Sequence, residues 1–203
     1  MIMALMSGCV APLSEGRAKS LGATLDRSQT INSYCLVGRG FRAPGPHGGG
    51  IIDSADFTPQ VAIRFLTMVP ELRTSHNLDC HQVYPNRLIG FILPWVDQLD
   101  ISDLRREFGQ GLVLAFETKR WDLGRLFFRA TIILGIRATL LQLEDNRTVW
   151  SAECKAEEDI YYSFLRYYDV PNFETRTVIG NRLAVECATQ LSNQFQEASR
   201  AAK

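Results

Sequence analysis

The densest group of chemically capable side chains in the chain is His76-Asn-Leu-Asp-Cys-His81, which brings imidazole, carboxylate and thiol together in one short segment. Imidazole nitrogens and a thiolate are zinc ligands, so His76, Cys80 and His81 could open a metal site. A closed structural site needs a full tetrahedral set of ligands, and the remaining histidine, His47, stands in a glycine-rich loop. His76 or His81 could instead act as the base of a hydrolase, if a nucleophile met one of them in space. No G-x-S-x-G elbow and no dinucleotide fingerprint accompanies them. The stretch Arg42-Ala-Pro-Gly-Pro-His-Gly-Gly-Gly50 lacks the Lys-Ser/Thr ending of a phosphate loop and reads as a flexible connection. Asp97, Asp100 and Asp103 look like paired carboxylates, but around a helix start they more simply serve capping and the helix dipole. The expectation is therefore a polar loop at 76–81, with no metal, no cofactor and no enzymatic activity.

Cysteine chemistry is the stronger signal. The chain of 203 residues holds five cysteines, and an odd number in an exported protein calls for one modified or intermolecular thiol. Met1 to Gly8 is apolar and small and runs directly into Cys9. The segment Leu5-Met6-Ser7-Gly8-Cys9 resembles a bacterial lipobox, with an apolar residue three positions before the cysteine and small residues between. In such a site the thiol receives a diacylglycerol, and several acyl chains together give a stable membrane anchor. Val10 is not Asp, which in enteric-type sorting directs the product to the outer membrane. The apolar run is shorter than an ordinary signal peptide's and carries no positive charge ahead of it. A cytosolic chain with a chance cysteine is the competing reading.

Composition excludes other classes. Basic and acidic residues number 22 each, for a formal charge of zero, so no excess exists to neutralise a phosphate backbone and no nucleic-acid partner is expected. Hydrophobic residues make up 46% and charged ones 22%, as in a globular domain. No stretch reaches the roughly 20 apolar residues of a membrane-spanning helix.

Residues 1–8 read as a signal-peptide-like remnant, 9–32 as a lipidated tether, and 33–198 as a single periplasmic α/β domain. Ser33 to Val37, Val61 to Val69 and Arg87 to Leu93 are strand candidates, the latter two rich in β-branched residues and bounded by prolines. A short helix is expected between Asp100 and Phe108. Gly111 to Thr118 reads as a buried strand. Phe128, Ala130, Ile132, Leu134, Ile136, Ala138 and Leu140 then alternate with Arg129, Thr131, Arg137 and Thr139, which predicts a long strand with one buried face. Glu144 to Arg147 is a turn, and Thr148 to Cys154 returns with Trp150, Ala152 and Cys154 facing one way. Glu157 to Tyr168 suggests an aromatic-rich helix. A final helix from Val178 to Ala198 carries Ile179, Leu183, Cys187, Leu191 and Phe195 at every fourth position, a stripe suited to packing on a sheet. The fold class is α/β (α+β): a mixed, mainly antiparallel sheet with a long hairpin and helices packed on one face, the C-terminal helix among them.

With Cys9 set aside, Cys35, Cys80, Cys154 and Cys187 remain. Docking the last helix on the sheet brings Cys187 to Cys154, closing a loop worth on the order of 3 kcal/mol if oxidised. Cys35 with Cys80 follows by elimination. Four buried free thiols are the alternative. Disulfides belong to an oxidising compartment.

At the hairpin the sequence resembles a class of proteobacterial envelope lipoproteins. The residues that carry the likeness are Val113-Leu-Ala-Phe116, Trp121-Asp-Leu-Gly124, Ala138-Thr-Leu140, Val149-Trp150, Cys154 and Glu186-Cys187-Ala188. They cover roughly residues 110 to 195. The class is similar in architecture to ABC-type transport auxiliary lipoproteins and to the TolB N-terminal domain. The resemblance implies an accessory role in an envelope protein complex, such as a transport or secretion apparatus, at the periplasmic face of the outer membrane. Tyr162 and Tyr167, and Arg129 and Arg137 on the outer sheet face, are candidate partner contacts. A periplasmic carrier of a small apolar ligand or lipid is a second reading, and a hydrolase using His76 or His81 a third.

Overall fold

Alternating apolar residues build the centre of the computed structural model, a three-strand antiparallel meander. Its strands are β5 (Leu112–Leu126), β6 (Arg129–Gln142) and β7 (Arg147–Tyr161). The structure describes residues 31–37, 41–43, 50–53, 57–72, 74–82, 101–126, 129–161 and 171–201. Phe116, Ala138 and Ala152 lie level across the three strands, as do Trp121, Leu134 and Ala156. A bulge at Lys119 makes this possible. One extra residue reverses the strand's alternation, so Trp121 and Leu123 enter the same core as Leu114 and Phe116. β5 thus continues eight residues beyond the Thr118 end expected from the sequence. In the β6–β7 turn Asn146 adopts φ 56°, a left-handed conformation that Asn tolerates.

The remaining strands add to the free side of β5. β1 (Ile31–Val37) runs parallel to it, with Ile31 level with Leu112. β2 (Phe41–Ala43) continues along the same side, Arg42 level with Asp122, and β3 (Gly50–Asp53) turns back antiparallel to β2. β4 (Thr74–Gln82) lies outside β1, parallel to it. The result is one seven-stranded mixed sheet whose longest pairings are antiparallel, the expected fold class.

Two helices cover one face. α1 (Thr58–Met68) makes the parallel crossover from the β1 side to β4, and α3 (Phe173–Ala201) closes the chain. α3 begins at Asn172, whose Oδ1 accepts the Thr175 N–H at 2.8 Å, a side-chain cap for an otherwise orphan donor. Its buried stripe includes Ile179, Leu183, Cys187, Leu191 and Phe195. Between helices and sheet, Phe65 of α1 stacks on Trp150 with centroids 6.0 Å apart, and Phe195 meets Trp150 edge-on at 5.0 Å. Gly180 lets α3 approach the Phe57 ring, which any Cβ there would overlap.

The short helix α2 (Ile101–Phe108) sits on the opposite face, where Leu104 joins Tyr34, Leu36, Val113, Ala115, Leu141 and Leu143. Arg105 ties it to the β6–β7 turn through the carbonyls of Leu143 at 2.7 Å and Glu144 at 2.9 Å.

Three local expectations are corrected. Val61 to Val69 is not a strand but most of α1. Val61, Ala62, Phe65 and Val69 are buried while Ile63, Arg64 and Thr67 are exposed, so the helical period wins, started by a proline in the first turn. Glu157 to Tyr161 is not the start of a helix but the end of β7, because β6 is long enough to pair with it down to Arg129 and Tyr161. The segment 76–81 is not a loop but part of β4, held level with β1. The strand expected at Arg87 to Leu93 and the aromatic segment Tyr162 to Tyr168 lie outside the described residues.

Candidate functional site

The four cysteines of the domain are joined in pairs. Cys154 sits on the inner face of β7 and Cys187 on the buried stripe of α3, and their disulfide sets the Cα atoms 5.1 Å apart. Both are buried, at 3% and 0% exposure. Cys35 and Cys80 lie level on adjacent parallel strands, and their disulfide sets the Cα atoms 4.5 Å apart. Cys35 is fully buried, whereas Cys80, on the outer strand, is exposed. Both separations lie in the range that unstrained backbones bridge. These are the pairs expected from the sequence. Each closes a long loop, and by the chain-entropy model each contributes about 4 kcal/mol.

The disulfide changes what the histidine segment can do. The Cys80 sulfur is bonded to another sulfur and is not a thiolate for a metal. His81 is level with Leu36, and His76 falls in the irregular stretch of β4 between Thr74 and Leu78. The side chains of His76 and His81 lie outside the described residues. Among the described residues, no cluster of His, Cys, Asp and Glu is placed to hold a metal ion.

The outer face of the meander is a surface of ion pairs. Arg137 is level with Glu117 on one side and Glu153 on the other, and its guanidinium bonds the Glu153 carboxylate at 2.6 Å. Lys155 pairs with Glu157 at 2.9 Å, and Arg120 with Asp122 at 2.8 Å. Such exposed pairs contribute little to stability. Arg129, the other arginine expected there, opens β6 level with Leu126 and Tyr161. Eight residues of strand, about 26 Å, separate its backbone from that of Arg137, and its side chain lies outside the described residues. Glu117 is buried, its Oε2 held by Lys119 Nζ at 2.7 Å. Tyr162, Tyr167 and Cys9 lie outside the described residues.

Two contacts between helix and sheet edge leave no mark in the sequence. Gln190 and Gln194 of α3 reach over to the backbone of β7. Nothing in their local sequence marks them, since glutamine is ordinary on an exposed helix face. No described helix is long and apolar enough to cross a membrane.

No protein-family model matches the sequence, and no curated protein matches it. In layout the chain is similar to several solved bacterial structures. A Xanthomonas campestris protein assigned to DUF330 superposes with a TM-score of 0.45 at 9% identity, over 84% of this chain and 88% of that one. For a lipoprotein from Neisseria meningitidis the TM-score is 0.33 at 10% identity, over 80% and 99%. For a minor lipoprotein from Acinetobacter baumannii it is 0.36 at 10% identity, over 83% and 94%.

Proposed function

We propose that this chain is a bacterial envelope lipoprotein, held by lipid on Cys9 at the periplasmic face of the outer membrane. Its α+β domain serves there as a non-catalytic accessory subunit of an envelope protein complex, in transport or secretion. The observation that carries the reading is the cysteine arithmetic. Two disulfides take up Cys35, Cys80, Cys154 and Cys187, which leaves Cys9 alone, and Cys9 is the residue that stands in the lipobox-like segment. Disulfides fit an oxidising compartment outside the inner membrane. A thiol left over at an apolar amino terminus fits lipidation.

The likeness of residues 110 to 195 to ABC-type transport auxiliary lipoproteins and to the TolB N-terminal class belongs to the same proposal and points to binding. A carrier of lipid between sheet and helices is disfavoured by a specific observation. The rings of Phe65, Phe116, Trp150 and Phe195 interlock there, with centroid separations of 5.0 to 6.0 Å, and fill the space such a ligand would need.

The test is Cys9→Ser in a Gram-negative host. The unaltered chain is expected in the membrane fraction with incorporated fatty acid, and the variant in the soluble periplasm with both disulfides intact. Identical partitioning of the two, or no acyl label on the unaltered chain, overturns the reading.

A further inference from the structure

β7 pairs with β6 and with no other described strand, so its second edge is a row of outward N–H and C=O groups. Such an edge is a template for pairing with another chain. In an antiparallel strand these groups alternate, one residue turning both towards its neighbour and the next turning both away. Lys155 is of the outward set, because Gln190 of α3 meets both its backbone groups. The Lys155 N–H donates to Gln190 Oε1 at 3.1 Å, and Gln190 Nε2 donates to the Lys155 carbonyl at 3.0 Å. This two-bond exchange is what a residue of an added antiparallel strand would make.

The amide is fully used. The other Nε2 proton goes to Glu186 Oε1 at 3.1 Å. A flipped amide would set its oxygen against both the Lys155 carbonyl and that carboxylate, so the orientation is fixed by chemistry. Two residues back on the strand, the Glu153 carbonyl accepts from Gln194 Nε2 at 3.1 Å. Glu153 and Lys155 are successive members of the outward set: α3 meets both backbone groups of Lys155 and the carbonyl of Glu153. The residue between them, Cys154, is bonded to Cys187, one turn before Gln190. Further down, Arg182 Nε bonds Glu158 at 3.0 Å. The disulfide therefore sets the register in which the glutamines meet the strand.

We propose that Gln190 and Gln194 are a side-chain surrogate for a neighbouring strand, and that they close the middle of the β7 edge against pairing with a second copy of this chain. The edge they cover is self-complementary. Two copies of β7 laid antiparallel about Cys154 would set Lys155 of each level with Glu153 of the other, opposite charges facing twice. Such a pairing is closed and two-fold, the symmetry commonest among homo-oligomers. The glutamine contacts compete with it for the same backbone groups.

The experiment uses the full oxidised chain carrying Gln190→Ala and Gln194→Ala. Alanine preserves the helix, and intact mass confirms both disulfides. The Lys155 amide is expected to exchange with deuterium about fivefold to tenfold faster, the factor for one lost hydrogen bond. Sedimentation is expected to show a concentration-dependent dimer that the unaltered chain does not form. Adding Lys155→Glu, which sets acid against acid, is expected to return the monomer. Gln190→Met, which keeps the side chain's shape without its amide, is expected to act in the same direction and covers the case of an unstable double variant. Unchanged exchange at Lys155 overturns the proposal. So does a variant that stays monomeric at every concentration, or a dimer indifferent to Lys155→Glu.

Discussion

The two disulfides staple different kinds of joint. Cys154–Cys187 crosses between layers, tying the last helix to the sheet with both sulfurs out of solvent. Cys35–Cys80 runs within the sheet, tying the outermost strand β4 to its neighbour, and Cys80 faces solvent. The regions they serve differ in the same way. β5, β6 and β7 follow one another in sequence and pair antiparallel, each with the next. β1 and β4 attach to them by parallel pairing that needs the α1 crossover. The carboxy-terminal half holds its own contacts locally, whereas the amino-terminal half is held at a distance along the chain. Closure of long loops is what makes such contacts costly, and a crosslink between β1 and β4 offsets that cost where it falls.

Five perturbations probe the two halves, in descending size. Phe65→Ala removes the ring by which α1 grips Trp150 and Phe195. It should destabilise by about 4 kcal/mol in urea unfolding, and amides of β1 and β4 should lose protection before those of β6. Replacing Cys154 and Cys187 together by Ala should cost about 4 kcal/mol in the same assay. A loss no larger than a buried-surface change would make the crosslink irrelevant to the layer joint. Gly180→Ala forces the Phe57 ring aside and should cost about 2 kcal/mol; a neutral result would mean that the ring swings away freely. Asn172→Ala removes the cap of α3, about 1 kcal/mol, without changing the protection of β1. Under graded dithiol reduction with alkylation and mass measurement, Cys80 should be labelled before Cys154 and Cys187. The reverse order would contradict the difference in exposure.

Where the sequence was legible, a single period was present. Ile132, Leu134, Ile136, Ala138 and Leu140 fit only alternation, and Ile179, Leu183, Cys187, Leu191 and Phe195 fit only a helical stripe. Where it misled, two periods shared the same residues. Val61, Phe65 and Val69 satisfy the strand pattern with Ile63 and the helix pattern with Ala62, and packing against α3 decides between them. Glu157, Glu158 and Asp159 look like a helix start in isolation. They are strand because the facing residues Thr131, Ile132 and Ile133 need partners. Cysteine placement made the candidate site partly readable, since Cys154 and Cys187 fall on faces that periodicity identifies.

Composition and local pattern alone fixed the zero net charge, the long hairpin, the C-terminal helix and the buried faces that carry Cys154 and Cys187, because each depends on residues near one another in the chain. Tertiary structure decided that Val61 to Val69 is helix, that a bulge at Lys119 turns Trp121 inward, that Cys80 lies level with Cys35, and that Gln190 lands on Lys155. Those outcomes depend on which distant segments become neighbours, and hydrogen bonds and packing between such segments leave no periodic trace in either one.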